Sequence, residues 1–409
     1  MINTCLETLT DYPFGRLAAL LDGVAPPPGV SPVALSVGEP QHAPPPMIAE
    51  VLARESGSWN RYPPIAGTER LREAARGWLG RRYGLPGDFL DPGSILPLSG
   101  TREGLFLTAL LAMPGRDGGG TPAVLLPNPF YACYEGAAVM AGAEPVFLDA
   151  TAATGFLPDL DALDDALLRR TRLFYLCSPA NPQGVAADRA YLARAIALAR
   201  RYGFILAVDE CYAEIYDAEP PCGVLEVAAG MDGGALDNLM VFHSLSKRSS
   251  AAGLRSGFVA GDPALIRAFQ RLRSYSAASM PVPIQEASAA LWDDDAHAAE
   301  NRARYRAKID AAERALDGRF GFYRPPGGFF LWLNVGDGEA AARALWARAG
   351  LKVLPGAYIT RAGEGRPNPG APYVRVALVH ETDIVAEALG RFAEILAGED
   401  RVAERRTGS

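Results

Sequence analysis

The chain has 409 residues, of which 49% are hydrophobic and 21% are charged, and its formal net charge is −7. This length allows a large buried core and more than one domain. The acidic balance, with a pI near 5.3, disfavours nucleic acid and anionic membranes as partners.

The same sequence bears on where the protein works. Residues 1–20 contain no basic stretch followed by an apolar run, so we expect no secretory signal. No apolar run approaches the roughly 20 residues needed to span a bilayer. The cysteines are odd in number and show no pair spacing, and the histidines are far apart. We therefore expect a cytoplasmic protein with free thiols and no metal.

The first fifty residues contain two runs of three prolines, at positions 26–28 and 44–46. They indicate an extended arm, residues 1–45, followed by a linker, because proline is excluded from helix and sheet interiors.

From residue 46 to about 285, short apolar runs alternate with helical patterns. The best helix covers 188–202, where apolar residues recur at i, i+3, i+4 and i+7 and Gly203 is placed to end it. Near-continuous apolar strands joined by such helices predict an α/β fold with a mainly parallel sheet covered on both faces. The predicted strands are 95–98, 123–126, 145–148, 173–177, 204–208, 240–243 and 257–260.

The pattern changes after about Pro281. A charged helical stretch at 293–316 precedes apolar strands at 329–335 and 373–378. We predict a large domain at 46–285 and a smaller α+β domain at 286–398, to which the arm contributes. The charged tail, 399–409, is predicted to be loosely held.

In open sheets of this kind, ligands bind beyond the carboxyl ends of the strands. Lys247 lies directly after a strand, behind two serines, and is followed by Arg248 and Arg255. Neighbouring cations and burial lower the pKa of an ammonium group, which a Schiff-base lysine requires. The alternative is a solvated surface lysine, and the spacing alone does not decide between the two.

Two other strand ends carry polar groups. Asp209 follows a buried strand, so it pairs either with a nearby arginine or with a cationic heterocycle nitrogen. Ser99-Gly100-Thr101 precedes a helical run, 102–113, and is suited to holding a phosphate on backbone N–H groups. By themselves, 178–184 is only a turn and 128–131 only aromatic packing.

The order of these pieces along the chain closely resembles the aspartate aminotransferase family, fold type I of the pyridoxal phosphate enzymes. The resemblance covers about residues 35–396. It implies a large domain with a mainly parallel seven-stranded sheet, a smaller α+β domain, and a homodimer with shared active sites. It also implies transfer of amino groups between amino acids and 2-oxo acids. The matching segments are 62–63, 99–101, 128–131, 181–184, 209–212, 244–247, 253–257 and Arg375.

The resemblance also implies roles for single residues. Lys247 would carry the cofactor and move a proton at the substrate, and Asp209 would keep the pyridine nitrogen protonated. Asn181 and Tyr212 would hydrogen-bond the phenolic oxygen, and Tyr131 would stack on the ring. The Asn181–Pro182 peptide bond would be cis.

The resemblance also implies which residues bind the cofactor phosphate and the substrate carboxylate. The resemblance implies that charged and polar donors bind the cofactor phosphate. These donors are the backbone N–H groups of Gly100, Thr101 and Arg102, the hydroxyls of Ser244 and Ser246, the side chain of Arg255, and Tyr62 of the neighbouring subunit. Arg375 would clamp the α-carboxylate, with the Gly38 backbone closing over it. An internal salt bridge is the alternative for Arg375, because a buried guanidinium must be paired.

Four stretches resemble the bacterial succinyldiaminopimelate aminotransferases: 36–42, 128–135, 210–216 and 244–262. This narrower resemblance implies glutamate as amino donor and a pocket for a distal carboxylate, with Arg102, Arg248 and Arg361 as candidates for its wall.

Three alternatives remain at this point. The first is an aspartate or broad-specificity aminotransferase, and the second is a β-lyase on the same scaffold. The third is a non-catalytic cofactor-binding regulator, which we expect less because there is no room for a DNA-binding head before Leu35.

Overall fold

The computed structural model describes residues 3–113, 120–231, 233–363 and 365–407, and side chains up to residue 397. The helices in these ranges are α1 (Pro13–Leu20), α2 (Met47–Arg54), α3 (Glu69–Tyr83), α4 (Thr101–Ala112), α5 (Ala132–Met140), α6 (Asp165–Arg170), α7 (Arg189–Tyr202), α8 (Val224–Gly230), α9 (Leu245–Arg248), α10 (Pro263–Ser276), α11 (Val282–Asp293), α12 (Ala296–Leu316), α13 (Gly338–Ala349) and α14 (Thr382–Thr407). The strands are β1 (Val33–Ala34), β2 (Ile95–Leu98), β3 (Ala123–Asn128), β4 (Glu144–Asp149), β5 (Thr171–Cys177), β6 (Ile205–Asp209), β7 (Leu239–Ser244), β8 (Gly257–Gly261), β9 (Phe330–Asn334), β10 (Leu351–Lys352), β11 (Leu354–Pro355) and β12 (Tyr373–Ala377).

The main sheet within the described residues has seven strands in the order β2-β8-β7-β6-β5-β3-β4. β8 is antiparallel to both of its neighbours, and the other adjacent pairs are parallel. Successive residues of β6 point to opposite faces, so Leu206 and Val208 pack in one core and Ile205 and Ala207 in another. The predicted α/β class and the mainly parallel seven-stranded sheet are confirmed.

Helix α7 illustrates how local sequence builds this layer. Asp188 accepts a hydrogen bond from the Tyr191 backbone N–H at 2.7 Å, and Gly203 ends the helix in the left-handed region at φ 74°. The residues buried from α7 are the four that the periodicity predicts: Leu192, Ala195, Ile196 and Ala199.

The C-terminal part builds a separate core, the C-terminal core, around the antiparallel sheet β11-β12-β9 and the short pair β1-β10. The N-terminal arm joins it, but it is not wholly extended as predicted. Pro13 opens helix α1, a position that suits proline, and Leu17 and Leu21 are buried against Trp332 and Tyr358. The apolar spacing of α1 outweighed the proline signal.

The predicted continuous helix over 293–316 is also wrong at its start. α11 ends at Asp293 and α12 begins at Ala296. The carboxylate of Asp294 accepts a hydrogen bond from the Ala296 N–H at 2.8 Å, and Asp295 pairs with Arg248, so both acids favour a break.

At the C-terminus, the backbone of α14 continues to Thr407, and the expected looseness of the tail, 399–409, lies outside the described side chains. No helix in the described part of the chain is long and apolar enough to cross a bilayer.

Candidate active site

A cavity of about 520 Å³ opens at the carboxyl ends of β3, β5, β6 and β7. The residues that line it come from the main sheet, the C-terminal core and the N-terminal arm. The sequence-predicted residues among them are Gly38, Thr101, Arg102, Tyr131, Asn181, Asp209, Tyr212, Ser244, Ser246, Lys247, Arg255 and Arg375. Strand-end residues that lie far apart in sequence therefore meet in one place.

Lys247 lies on the short helix α9, one turn beyond the end of β7. Its Nζ donates a hydrogen bond to the Gly38 carbonyl and lies 5.3 Å from the centroid of the Phe329 ring. Burial lowers the pKa of Lys247 to about 8, and the nearby cation of Arg375 acts in the same direction. A neutral, nucleophilic amine is thus accessible near physiological pH.

Asp209 is the last residue of β6 and is buried. Its carboxylate accepts hydrogen bonds from the Tyr134 hydroxyl at 2.7 Å and from the Cys211 N–H at 3.1 Å. Burial raises the pKa of Asp209, whereas these hydrogen bonds oppose the rise. No described arginine or lysine forms an ion pair with it, so the internal ion pair considered from sequence is absent. The carboxylate is available to a cationic ring nitrogen.

Arg375 projects from β12 into the cavity. Its guanidinium donates to the Ser36 carbonyl at 2.7 Å and to Asn181 Oδ1 at 3.2 Å, and it lies 4.5 Å from the centroid of the Phe330 ring. Burial lowers the pKa of Arg375 to about 10, so it remains charged at neutral pH. No described carboxylate pairs with it, which contradicts the internal salt bridge. The Asn181–Pro182 bond is cis, as predicted.

The Ser99-Gly100-Thr101 turn forms a cradle at the N-terminus of α4. Gly100 has φ 91°, and a Cβ there would overlap the Arg255 guanidinium, so glycine is required. Ser244 and Ser246 line the same cavity. A helix N-terminus, hydroxyls and an arginine that lacks a described carboxylate partner together fit a phosphate dianion.

Some predicted residues lie elsewhere. Tyr62 is fully exposed and outside the cavity of its own chain, so its role toward a neighbouring subunit stays a prediction. Arg248 is buried and bonds the carboxylate of Asp295 at 2.7 Å. Arg361 forms two hydrogen bonds, of 2.8 and 2.7 Å, with the carboxylate of Glu135. Neither Arg248 nor Arg361 lines the cavity, which leaves Arg102 of the three arginines proposed for the distal wall.

Sequence reasoning missed two parts of the site. Tyr134, the hydrogen-bond donor to Asp209, lies three residues after Tyr131, and this helical spacing was the available signal. Tyr12, Pro13 and Phe14 of the arm also line the cavity. Nothing in the local pattern around them indicates this contact, which depends on the packing of α1.

The fold and the site together define a fold type I enzyme that binds pyridoxal phosphate. Residues 31–392 match the family model "Aminotransferase class I and II". The chain belongs to this family of pyridoxal-phosphate-dependent aminotransferases.

Individual relatives agree with this assignment. The transaminase OxyQ of Streptomyces rimosus, named for 4-dedimethylamino-4-oxo-anhydrotetracycline, is 35% identical over 92% of this chain and 95% of its own length. An LL-diaminopimelate aminotransferase of Desulforudis audaxviator is 31% identical over 95% and 96%. The crystal structure of an aminotransferase from Neisseria meningitidis is 39% identical, with a TM-score of 0.90 over 97% of this chain and all of that one.

Proposed function

We propose that this aminotransferase forms N-succinyl-diaminopimelate, with glutamate as the amino donor. The observation that carries the proposal is a set of three guanidinium groups, Arg102, Arg255 and Arg375, that line one cavity without a described carboxylate partner. Several at least partly buried arginines elsewhere in this chain pair with carboxylates, as in Arg82–Glu214 at 2.7 Å and Arg273–Glu103 at 2.9 Å. The buried guanidinium of Arg375 is therefore suited to a bound anion. Arg102 and Arg255 are exposed, and they are suited to anions because they line the same cavity without a described carboxylate partner.

Two of these anions are common to the whole family. Arg255, beside the Gly100 cradle, is suited to the cofactor phosphate, and Arg375 to the substrate α-carboxylate, which matches its two-pronged donor geometry. Arg102 then remains available to bind a third anion. Its Nε donates to the Tyr131 hydroxyl and its Nη2 to the Tyr12 hydroxyl at 3.5 Å, both neutral partners. A substrate with a second, distal carboxylate supplies that anion.

The residues at the reacting end have separate tasks. Bound pyridoxal phosphate supplies a carbonyl group that combines with amines and a ring that accepts electrons. Lys247 provides the amine that holds it and, when released, the base that moves a proton at the substrate α-carbon. Asp209, oriented by Tyr134, holds a proton on the ring nitrogen. Asn181 and Tyr212, which both line the cavity, would donate to the phenolic oxygen.

The choice of a long substrate with distal carboxylates has two supports. The cavity of about 520 Å³ is within the roughly 300–1,000 Å³ range of small-molecule sites. Several relatives, at 28–31% identity, bear the name LL-diaminopimelate aminotransferase. An N-succinyl group extends such a substrate and adds a further carboxylate several atoms farther from the reacting α-carbon.

The test is kcat/KM for N-succinyl-LL-diaminopimelate, LL-diaminopimelate and aspartate, each with 2-oxoglutarate as acceptor. We expect the succinylated substrate to be preferred. A preference for free LL-diaminopimelate would give this chain the reaction named for those relatives, and a preference for aspartate would overturn the distal-pocket proposal.

The role of Arg102 is tested with Arg102→Gln and the control Arg170→Gln, since Arg170 is a partly exposed arginine that pairs with Glu144 and does not line the cavity. We expect Arg102→Gln to lower kcat/KM for the succinylated substrate by about 2–3 kcal/mol, or roughly 30- to 150-fold. Alanine, which has no second carboxylate, should react nearly unchanged in the single-turnover half-reaction. An equal loss for both substrates would contradict the distal role.

A further inference from the structure

A fully buried lysine lies outside the cavity, on α12. The Nζ of Lys308 is 2.8 Å from Nε2 of His42 and 4.7 Å from the centroid of the Tyr305 ring. No described carboxylate lies within 4.0 Å of this ammonium group, so His42 is its main polar partner. Burial lowers the pKa of Lys308 to about 8, which leaves it mostly charged at neutral pH.

These contacts determine the protonation state of His42. A charged Lys308 can only donate, so Nε2 of His42 must accept and carry no proton. The ring proton is then on Nδ1, which lies 3.3 Å from the Glu381 carboxylate just before α14. Lys308, His42 and Glu381 form a triad that requires a neutral imidazole.

The triad is connected to the active site through the backbone. His42 ends the segment 36–42, and this segment provides two acceptors to the cavity: the Ser36 carbonyl for Arg375 and the Gly38 carbonyl for Lys247. Ser250 donates to the His42 carbonyl at 2.9 Å and holds the same end of the segment. The position of His42 therefore affects both cavity side chains.

Aromatic rings provide a second connection. His42 meets Tyr305 edge to face, with ring centroids 5.6 Å apart, and Tyr305 stacks on Phe329 at 5.0 Å. Phe329 in turn lies beneath the Lys247 Nζ. A displacement of His42 would therefore also disturb the packing under the reactive lysine.

We propose that His42 is a positioning residue whose neutral form ties the segment 36–42 to Lys308 and whose protonation releases that segment and weakens binding of the substrate α-carboxylate. An imidazolium donates from both nitrogens, so its Nε2–H would face the Lys308 ammonium with no acceptor between them. The segment must then move, and with it the carbonyl groups that orient Arg375 and Lys247.

The charged and titratable groups that face His42 come from two elements. On α12 these are Lys308 and Arg304, which oppose protonation, and Tyr305, which contacts the ring; before α14 Glu381 favours protonation. Burial and Lys308 lower the pKa of His42 below its usual value of 6.5. The release therefore requires a pH lower than the one that protonates an ordinary histidine.

The test is the pH dependence of kcat and KM, measured with the amino donor that gives the highest turnover. For the natural chain, we expect KM to rise at least fivefold as His42 becomes protonated, at a pH below the usual histidine pKa of 6.5, with a smaller change in kcat. His42→Gln can accept from Lys308 and donate to Glu381 but cannot be protonated, so its KM should stay flat over the same range.

Two further variants separate positioning from mere packing. His42→Phe keeps a ring but has no acceptor, and we expect its KM to be raised about tenfold at every pH. His380→Gln is the matched control, because His380 bonds the Ala34 carbonyl and no lysine, and its pH profile should equal that of the natural chain.

A measurement on the cofactor-free protein tests the coupling without activity. The imidazole nitrogens of the four histidines can be titrated by NMR, with His42→Gln assigning the His42 signals. We expect His42 to titrate below 6.5 and Lys308→Met to raise its pKa. An unchanged pKa in Lys308→Met, or an acid rise of KM retained in His42→Gln, would overturn the proposal. If His42→Phe does not fold, the His42→Gln profile decides alone.

Discussion

The hydroxyl of Tyr134 donates a 2.7 Å hydrogen bond to the carboxylate of Asp209, and the Tyr134 ring stacks on Tyr175 with centroids 4.6 Å apart. A phenol that is fixed by stacking orients the carboxylate and favours its charged form. Burial alone would favour the neutral form, which cannot hold a proton on a ring nitrogen.

This relationship yields a graded prediction. Asp209→Ala should lose on the order of 10³-fold in kcat/KM if, as we propose, its charge keeps the ring nitrogen protonated. Tyr134→Phe should lose about tenfold, because one hydrogen bond to a charged group is lost. Steady-state kinetics on both variants check this order. A loss below tenfold in Asp209→Ala would mean that Asp209 is only a structural anion.

Lys247→Ala should abolish transamination and covalent attachment of the cofactor. After borohydride reduction, the intact mass of the natural protein should increase by one pyridoxyl phosphate group, whereas the mass of the variant should not. Lys352→Ala is the control, because Lys352 lies over the Trp346 ring outside the cavity. Turnover near that of the natural enzyme in Lys247→Ala would refute the assignment.

The lowered pKa of Lys247 predicts how the cofactor-free protein depends on pH. Attachment of pyridoxal phosphate should accelerate as the pH rises through about 8, because the neutral amine is the nucleophile. Arg375→Met should move this midpoint upward, since the Arg375 cation lowers the pKa of Lys247. Stopped-flow absorbance measures the rate, and an unshifted midpoint would contradict the electrostatic coupling.

The lowered pKa of Lys247 also affects the free energy of unfolding. The unfolded lysine has a pKa of about 10.4 and the folded one about 8, so the unfolded state binds more protons between these values. This group therefore makes the cofactor-free protein more stable as the pH rises from about 8 to 10. Lys247→Met should be more stable than the natural chain at pH 7, and the difference should shrink toward pH 10 in urea unfolding.

Arg375→Lys should reduce kcat/KM about 10- to 100-fold for every amino acid substrate, because a lysine cannot make the two-pronged contact with a carboxylate. The ratio between substrates should stay constant, since all of them share the α-carboxylate. Kinetics with glutamate, aspartate and N-succinyl-LL-diaminopimelate check this. A changed ratio would show that Arg375 takes part in substrate selection.

The sequence by itself determined the elements of the main sheet and the residues at their ends. The helix α7 is predictable because its apolar residues recur with the helical period, and the strand β2 because it is a short continuous apolar run. Both are local properties. Asp209 and Lys247 are predictable because parallel strands bring their carboxyl ends to one edge of a sheet. The family motifs then predict the chemistry of these positions.

Only the tertiary structure decided which side chains reach the cavity. Arg102, Arg248 and Arg361 are equivalent in sequence, but Asp295 and Glu135 neutralise the last two and leave Arg102 in the cavity. The helix in the arm and the contact of Lys308 with His42, 266 positions apart, likewise depend on packing between distant segments. The physical reason is that the pairing of buried charges is set by long-range contacts, which no local periodicity records.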